Sequence, residues 1–406
     1  MKLPPVYFAR NVHEPGQMPA AVGAAFYRAS KPAMSNLKNF PTLTEQTLAV
    51  SPIERSQTIP SDWYINPEFH QIDSQAVFLQ TWQWVGHLGK VANPGDYFLA
   101  SVADNPLILL RDRDDALRGF YNVCRHRGGP LATDESGNCT MLQCKYHGWT
   151  YRLDGALRGV PKFDRVELFN RDDYGLIPIA VAVWEGLIFV HLGEQPPPIA
   201  TVVEGIAERI APISLLTKRF FRRVEYRVEC NWKIYIDNYL EGYHVPLVHP
   251  ELMKMLDFNS YITETARWYS LQFSPIRTGG DHPYGGAAVE SAAEAFYYFI
   301  YPNFMLNILP GRLQTNLVIP VSHNRTLVRF DYFYDDIKSP EALSFIQEDI
   351  ASSDRIQAED IDICQRVQRG VASRAYDRGR FSVECEQGVY HFQSLLKESY
   401  RRWISR

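Results

Sequence analysis

The longest apolar stretch in the 406 residues runs from Leu176 to Leu192, and Trp184, Glu185 and Gly186 interrupt it. A membrane-spanning helix needs about 20 consecutive apolar residues, so no span is expected and the stretch reads as two strands joined by a turn. Positive charge is not in excess. The 42 Lys and Arg against 46 Asp and Glu give a net charge of -4, which offers no attraction to a nucleic-acid backbone. Cysteine is scarce: the six positions are Cys124, Cys139, Cys144, Cys230, Cys364 and Cys385. They lack the density of a secreted disulfide framework, and only two have metal-ligand spacing. The N-terminal MKLPPVYFARNVHEPG has prolines where a signal peptide needs an apolar core, so the expected location is cytoplasmic. There is no internal repeat and no flavin or nicotinamide fingerprint.

At roughly 150 residues per domain, the length predicts two or three domains. Residues 1 to about 50 are rich in Pro, Ala and Ser and read as a covering arm. Residues 60–90 read as helical, with Phe78, Trp82 and Val85 near one face. From about Trp84 to Leu192 the texture is short strands and turns (GDYFLASV, PLILLRD, LRGFYNV, TMLQCKYHGWTYRLDG), which predicts a small all-β unit over 81–195. Pro196-Pro197-Pro198 marks a linker. Over 196–406 the pattern predicts a helix around Val202–Ile210, a strand Phe220–Val228 and a helix opening at Asn231. Strands follow over Tyr297–Ile308, Leu313–Pro320 and Thr326–Tyr334. Ser339-Pro340 reads as cap and first turn of a long helix to about Gln368, and a last helix covers Tyr390–Trp403. Strands followed by long helices indicate an α+β architecture.

Two constellations carry chemistry. Cys124-Arg125-His126 and Cys144-Lys145-Tyr146-His147 each offer one thiolate and one imidazole. Two thiolates on one iron and two imidazoles on the other is the ligand set of a Rieske [2Fe–2S] centre. Gly128, Gly129 and Gly148 allow the adjoining backbone N–H groups to turn toward cluster sulfurs. A structural zinc site is the rival, but its usual spacings differ. No second cysteine accompanies either loop, as one would in the electron-carrier type; that favours the oxygenase type.

The second constellation is NWKIYIDNYLEGYHVPLVHP, Asn231–Pro250. A helix from Asn231 would align Lys233, Asp237, Glu241 and His244 in one stripe within an otherwise apolar surface. His244 and His249 lie about 140° apart on a continuous helix, but Pro246 ends regular hydrogen bonding and permits a bend that returns His249 to the same point. Two imidazoles and a carboxylate make a non-haem Fe(II) facial triad. The long helix offers Asp349, Asp354, Glu359, Asp360 and Asp362; Asp360 alone shares a clear apolar stripe, with Ile356, Ile363, Cys364 and Val367, and is the choice. Glu241 could be an iron ligand, the hydrogen-bond partner of a ligand histidine, or the partner of Lys233; the second is the support that metal-bound histidines usually require. Lys233 and Asp237 are expected to pair at i, i+4 as supporting charges.

Together the two sites resemble the α-subunit of Rieske non-haem iron oxygenases over nearly the whole chain. The matching segments are WQWVGH, NVCRHRG, CKYHGWTY and NWKIYIDNYLEGYHVPLVH. Glu in NYLEGYH, where most ring-hydroxylating members have Asp, resembles the quaternary-ammonium subgroup of carnitine, choline and glycine-betaine monooxygenases and proline-betaine demethylases. AEDIDICQRVQRGVASRAYDRGRFS is similar to the same subgroup and supports Asp360.

The resemblance implies a Rieske domain over 81–195 and a catalytic domain over 196–406 with an antiparallel sheet and helices of the helix-grip, START-like kind, on which residues 1–80 pack. It implies a [2Fe–2S] cluster on Cys124, His126, Cys144 and His147, and Fe(II) on His244, His249 and Asp360. Asn238 would lie close to the iron, and Asp237, Asn238 and Glu241 would serve the active site. A homotrimer would place Glu241 against His147 of a neighbouring subunit, and electrons would come from a separate NAD(P)H-dependent flavin and iron–sulfur reductase. The implied activity is O2-dependent hydroxylation and N-demethylation of a quaternary ammonium compound. Such a cation is recognised by aromatic faces, for which Phe296–Phe304 and Trp268-Tyr269 are candidates, with Arg312 or Asn316 for a substrate carboxylate. Rival readings are oxidation of an aromatic ring and a pure electron carrier; the latter leaves the second histidine pair unexplained.

Overall fold

The computed structural model describes residues 43–277, 279, 282–284 and 293–406. The arm expected over the first 50 residues lies almost wholly outside them. The first half builds three small antiparallel sheets from β1 (Gln83–His87), β2 (Asp96–Val102), β3 (Asn105–Arg111), β4 (Leu117–Tyr121), β5 (Ser136–Asn138), β6 (Leu142–Gln143), β7 (Thr150–Tyr151), β8 (Leu157–Gly159), β9 (Ala180–Trp184) and β10 (Leu187–His191). Their orders are β1-β10-β9, β4-β3-β2-β5 and β6-β7-β8. The second half forms one seven-stranded sheet from β11 (Arg219–Val228), β12 (Ile262–Thr265), β13 (Tyr269–Pro275), β14 (Glu294–Ile300), β15 (Phe304–Leu309), β16 (Arg312–Ser322) and β17 (Arg325–Tyr334), in the order β11-β17-β16-β15-β14-β13-β12. Every pairing is antiparallel. This is the expected α+β class.

Alternation along these strands decides what each face does. Phe296, Tyr298, Phe304, Leu306, Ile308, Leu313 and Phe333 join Trp82, Trp84, Leu187 and Phe189 in one buried cluster, so this face packs against the β1-β10-β9 sheet. Their neighbours Tyr297, Asn307, Leu309, Arg312, Gln314, Asn316 and Phe330 face a cavity on the other side. That side also carries the helices α2 (Trp232–Tyr239) and α3 (Pro340–Val371).

The helix expected across residues 60–90 stops early. α1 covers Glu68–Ala76, a single 3-10 turn holds Phe78–Gln80, and β1 begins at Gln83. Trp82 and Trp84 are both buried in the same cluster, two residues apart, which is strand periodicity; the helical spacing of Phe78, Trp82 and Val85 is coincidental. The helix expected over Val202–Ile210 is two short turns, Ile199–Val202 and Ile206–Arg209, separated by Gly205. α3 begins at the expected cap, with Ser339 Oγ accepting from the Ala342 N–H, and runs three residues beyond the expected end. α4 spans Gln387–Ile404.

One buried carboxylate ties three helices together. Asp73 of α1 accepts from Trp232 Nε1 at 2.7 Å and Lys233 Nζ at 2.5 Å on α2, and from the Tyr400 hydroxyl on α4. Lys233 and Asp73 are both essentially inaccessible, where a lone charge is costly and a hydrogen-bonded pair is tolerated. The expected Lys233–Asp237 pair is therefore wrong. Asp237 instead accepts from the Tyr64 hydroxyl at 2.6 Å and from Gln393 Nε2 at 3.1 Å.

Candidate metal centres

The two cysteine loops share one backbone plan. The Cys124 N–H donates to the Gly129 carbonyl while the Cys124 carbonyl accepts from the Gly128 N–H; Cys144 does the same with Trp149 and Gly148. Gly128 (φ 72°) and Gly148 (φ 76°) sit in the left-handed region that each loop needs to close. Both thiols are buried. Cys124 Sγ lies 3.4 Å from the Tyr151 hydroxyl, which also accepts from the Arg125 N–H at 3.0 Å. The rings of His126 and His147 are 4.6 Å apart, and His126 stacks on Trp149 at 4.9 Å. His147 is exposed at the surface.

This donor set fits a Rieske cluster on two observations. His126 Nδ1 is a buried ring nitrogen with no hydrogen-bond partner, a state that a metal bond relieves. A Cβ at Gly129 would stand 2.9 Å from Cys144 Sγ, so the loop is pared back where the sulfur needs room. Soft thiolates below and imidazoles toward solvent match the divided ligation of such a centre.

In the second half, α2 is shorter than its pattern indicated. Asn231 caps it, accepting from the Lys233 N–H at 2.9 Å, and it ends at Tyr239. Glu241 and His244 are therefore not on the helical stripe. The Glu241 carboxylate instead organises the following turn, accepting from the N–H groups of Tyr243 and His244. A short helix, Val245–Val248, with Pro246 in its first turn, then brings His249 round. The bend expected from Pro246 is there: His244 Nε2 and His249 Nε2 stand 3.1 Å apart.

Asp360 comes from α3, with Oδ1 3.0 Å from His249 Nε2 and 3.8 Å from His244 Nε2. Among the described residues these three offer ligand atoms that all lie within 4.8 Å of one another. The outer ring nitrogens are also held. His244 Nδ1 is 2.6 Å from Glu241 Oε1, and His249 Nδ1 is 2.7 Å from Glu359 Oε2. A carboxylate at Nδ1 keeps the proton there and turns the Nε2 lone pair outward. Two such lone pairs and a carboxylate oxygen at this separation repel unless a cation lies between them. Burial alone would push the His249 imidazole down, yet Asp360 and Glu359 outweigh it and its pKa is raised. The residues fit a divalent metal, and nitrogen–oxygen ligation of this kind suits Fe(II).

Asn238 Nδ2 donates to Asp360 Oδ1 at 2.7 Å, so the expected asparagine does adjoin the triad. Asp237, expected beside it, is absent from the cavity wall. The cavity encloses roughly 930 Å³, open mouth included, and runs from the triad along α3. Asp349 and Asp360 both line it, eleven residues apart, which is about 16 Å along a helix axis.

Two domain-family descriptions match the sequence. "Rieske [2Fe-2S] domain" covers residues 81–170, and "Ring hydroxylating alpha subunit (catalytic domain)" covers residues 216–405. The chain is 35% identical to a chloroplastic choline monooxygenase of Arabidopsis thaliana over 86% of this chain and 84% of that one. The chain belongs to the Rieske non-haem iron monooxygenases. This oxygenase is also 28% identical to a carnitine monooxygenase oxygenase subunit of Acinetobacter baumannii, over 85% of this chain and 95% of that one. A solved quaternary ammonium Rieske monooxygenase, described for carnitine oxidation and inter-subunit electron transfer, superposes with a TM-score of 0.77 at 26% identity. It covers 87% of this chain and all of that one.

Several expectations for the oxygenase need correction. Of the aromatic residues between Phe296 and Phe304, Tyr297 alone reaches the cavity; Trp268 and Tyr269 pack on the far face with Tyr298. The rings that line it are Tyr235, Tyr239, Tyr261, Tyr284, Tyr297 and Phe330. Arg312 is on the cavity wall but ion-paired: Nη1 donates to Asp349 Oδ1 at 2.6 Å. Asn316 Oδ1 accepts from Gln314 Nε2 at 2.7 Å. The other acidic candidates of α3 are also accounted for: Asp354 takes the Tyr226 hydroxyl, and Asp362 pairs with Arg366 on the surface. Glu359, passed over as a ligand, holds the second histidine. Its position beside Asp360 was the one available hint. Among the described residues, no helix is long and apolar enough to cross a membrane.

Proposed function

We propose that this chain is a terminal oxygenase that hydroxylates an N-methyl group of a quaternary ammonium compound. The observation that carries the reading is the cavity wall: among the described residues six aromatic rings line it, and its one Lys or Arg, Arg312, is already neutralised by Asp349. Such a wall offers π-faces to a cation that cannot donate hydrogen bonds and opposes it with no free positive side chain.

The division of labour follows the two halves, 81–195 for the cluster and 196–406 for catalysis. Cys124, Cys144, His126 and His147 would hold the [2Fe–2S] cluster; His244, His249 and Asp360 would hold Fe(II). When bound, these groups supply single electrons and dioxygen activation. Glu241 and Glu359 keep the Nδ1 protons on the two histidines, and Asn238 fixes the Asp360 carboxylate by donating to Oδ1. The aromatic wall excludes water and presents the methyl group. Insertion of one oxygen atom of O2 into a C–H bond of the N-methyl group gives a carbinolamine, the other atom leaving as water with two electrons and two protons. Loss of the carbinolamine's hydroxyl proton with cleavage of the C–N bond then releases formaldehyde and the tertiary amine.

Electrons would reach the chain from a separate NAD(P)H-dependent flavin and iron–sulfur reductase. Within a homotrimer, Glu241 would link His244 to the His147 loop of a second copy. Exposed His147, and exposed Tyr243 and Leu247 beside His244, support an interface at both ends of that link. All six cysteines are unpaired, in keeping with a reducing compartment such as the cytoplasm.

The test supplies the holoenzyme with reductase, NAD(P)H and a panel of quaternary ammonium compounds and aromatics. The expected result is one formaldehyde per O2 consumed with a quaternary ammonium substrate. Turnover with aromatics alone would replace this reading with ring oxidation. Glu241→Gln keeps an acceptor for His244 Nδ1, so both centres should stay loaded while a pre-reduced cluster fails to reoxidise with substrate and O2. Normal reoxidation would remove Glu241 from the electron path.

A further inference from the structure

The part of the cavity beside Asp349 holds a donor with nothing to donate to. Arg312 lies on the cavity wall with 6% of its surface exposed, and its Nε–H has no hydrogen-bond partner. A buried, unanswered donor is rare in a folded protein and asks for an acceptor. Of the other two nitrogens Nη1 is committed, and Nη2 has no hydrogen-bond partner among the described residues. Nη1 donates to Asp349 Oδ1, which also accepts from the Tyr284 hydroxyl at 2.7 Å, and Asp349 Oδ2 accepts from the Tyr334 hydroxyl at 2.6 Å. Three of the carboxylate's four acceptor sites are therefore taken, while the guanidinium keeps its Nε and Nη2 edge open.

Charge decides which acceptor suits that edge. Arg312 and Asp349 together are neutral, and both are buried. A second carboxylate brought to Nε would make the buried group net negative, with Asp349 opposing it; burial of an uncompensated charge is strongly unfavourable. A hydroxyl, ether or carbonyl oxygen takes the hydrogen bond without that penalty. Position sets a second constraint. Asp349, which holds Arg312, is about 16 Å along α3 from Asp360, so a ligand that touches both ends needs an extended arm.

We propose that Arg312 is the specificity residue for the distal end of the substrate, accepting an extended quaternary ammonium that ends in an uncharged oxygen over one that ends in a carboxylate. This rests on the quaternary ammonium reading above and narrows it. The cation occupies the aromatic wall near the triad, and the terminal oxygen accepts from Arg312 Nε–H.

Calorimetric titration of the anaerobic holoenzyme tests this without turnover. The ligands are trimethylammonium compounds with hydroxyl-terminated arms of two, four and six carbons, and six-carbon arms ending in methyl or carboxylate. Affinity is expected to rise with the length of the hydroxyl arm. At six carbons the hydroxyl should bind about tenfold tighter than the methyl, the worth of one hydrogen bond, and tighter than the carboxylate by at least as much. Arg312→Lys retains the ion pair with Asp349 but has no Nε–H edge; it should erase the hydroxyl advantage and leave methyl-arm binding unchanged. A carboxylate arm that binds as tightly as the hydroxyl arm, or a hydroxyl advantage that survives in Arg312→Lys, overturns the proposal. Those results would leave the quaternary ammonium reading standing. Failure of all these cations to bind, with an aromatic binding instead, overturns both.

Discussion

All four candidate cluster ligands lie within Cys124–His147, on two loops closed by the same pair of backbone hydrogen bonds, whereas the triad joins a turn after α2 to an aspartate 111 residues beyond His249. In the first case chain connectivity does most of the positioning. The loops need only their local turns and a small core beneath, in which both cysteines pack with Tyr151 and Trp149. In the second case α2 and α3 must be packed correctly before the ligands meet. A buried tie from Tyr235 to Gln357 joins the two, and Asp73 of α1 anchors α2 through Lys233. Supporting carboxylates follow the same division. Both triad histidines have one at Nδ1, while His126 leans on an aromatic face and leaves Nδ1 unpartnered.

The largest effect expected from this contrast is separability. Cys144→Ser should eliminate the cluster and its visible absorption, because serine replaces a soft thiolate with a poor iron ligand. Mononuclear iron at the triad should remain at wild-type occupancy. Metal analysis together with the spectrum checks both halves of the statement, and loss of all iron would show that the centres fold as one.

Next in size is Glu359→Ala, which leaves His249 Nδ1 without its acceptor. The Glu359 carboxylate orients His249 from behind, and such supporting groups are worth about 10–100-fold in metal affinity. Iron should therefore leave the triad at a correspondingly lower chelator concentration while the cluster spectrum stays unchanged. Unaltered iron retention would make Glu359 a bystander.

The same contrast governs what the sequence could reveal. CRH and CKYH state their ligand set in contiguous residues, so the first centre was fully legible. For the second, His244 and His249 were legible through Pro246, and Asp360 through its apolar stripe. Of the two partners of the outer ring nitrogens, Glu241 was expected as the support a metal histidine requires, and it holds His244 Nδ1, although the pattern of α2 gave no sign that the helix stops at Tyr239. Glu359 was indistinguishable from Asp349, Asp354 and Asp362 on the same helix. Lys233 was assigned to the near carboxylate at i, i+4, yet Asp73, 160 residues away in sequence, takes it. The aromatic segment Phe296–Phe304 was named for the cavity, yet only Tyr297 reaches it, because Tyr297 and Tyr298 alternate between opposite faces of β14 and a run of aromatics carries no register.

Asp237 separates the two halves in a further way, because it gives the catalytic side a buried acid tied to the helix ahead of the triad. Burial pushes its carboxyl up to about 7, against the opposing pull of hydrogen bonds from Tyr64 and Gln393. An unfolded aspartate titrates near 3.9, so across this interval the folded chain holds a proton that the unfolded chain has lost. The stability contribution is full below about pH 4 and declines as pH rises toward about 7. Asp237→Asn should remove that slope: between pH 5 and 8 the wild type should lose on the order of 2–3 kcal/mol more than the variant. Urea unfolding at the two pH values measures it, and parallel losses would place the titration elsewhere.

The smallest effect isolates what the cluster loops owe to backbone geometry alone. Gly128 and Gly148 both have positive φ, but their surroundings differ. A Cβ at Gly128 would meet nothing within 4 Å, whereas one at Gly148 would press on Pro161 Cγ at 3.3 Å. Gly128→Ala therefore reports conformational strain without a clash, about 1–2 kcal/mol for an L-residue forced into the left-handed region. Gly128→Asn should lose less, since asparagine visits that region more readily. Gly148→Ala should lose more, because contact with Pro161 adds to the strain. The urea midpoint for loss of the cluster spectrum should follow the order wild type, Gly128→Asn, Gly128→Ala, Gly148→Ala. Equal midpoints for Asn and Ala at 128 would mean that something other than the left-handed turn shapes the loop, and the claim that connectivity positions these ligands would lose its physical basis.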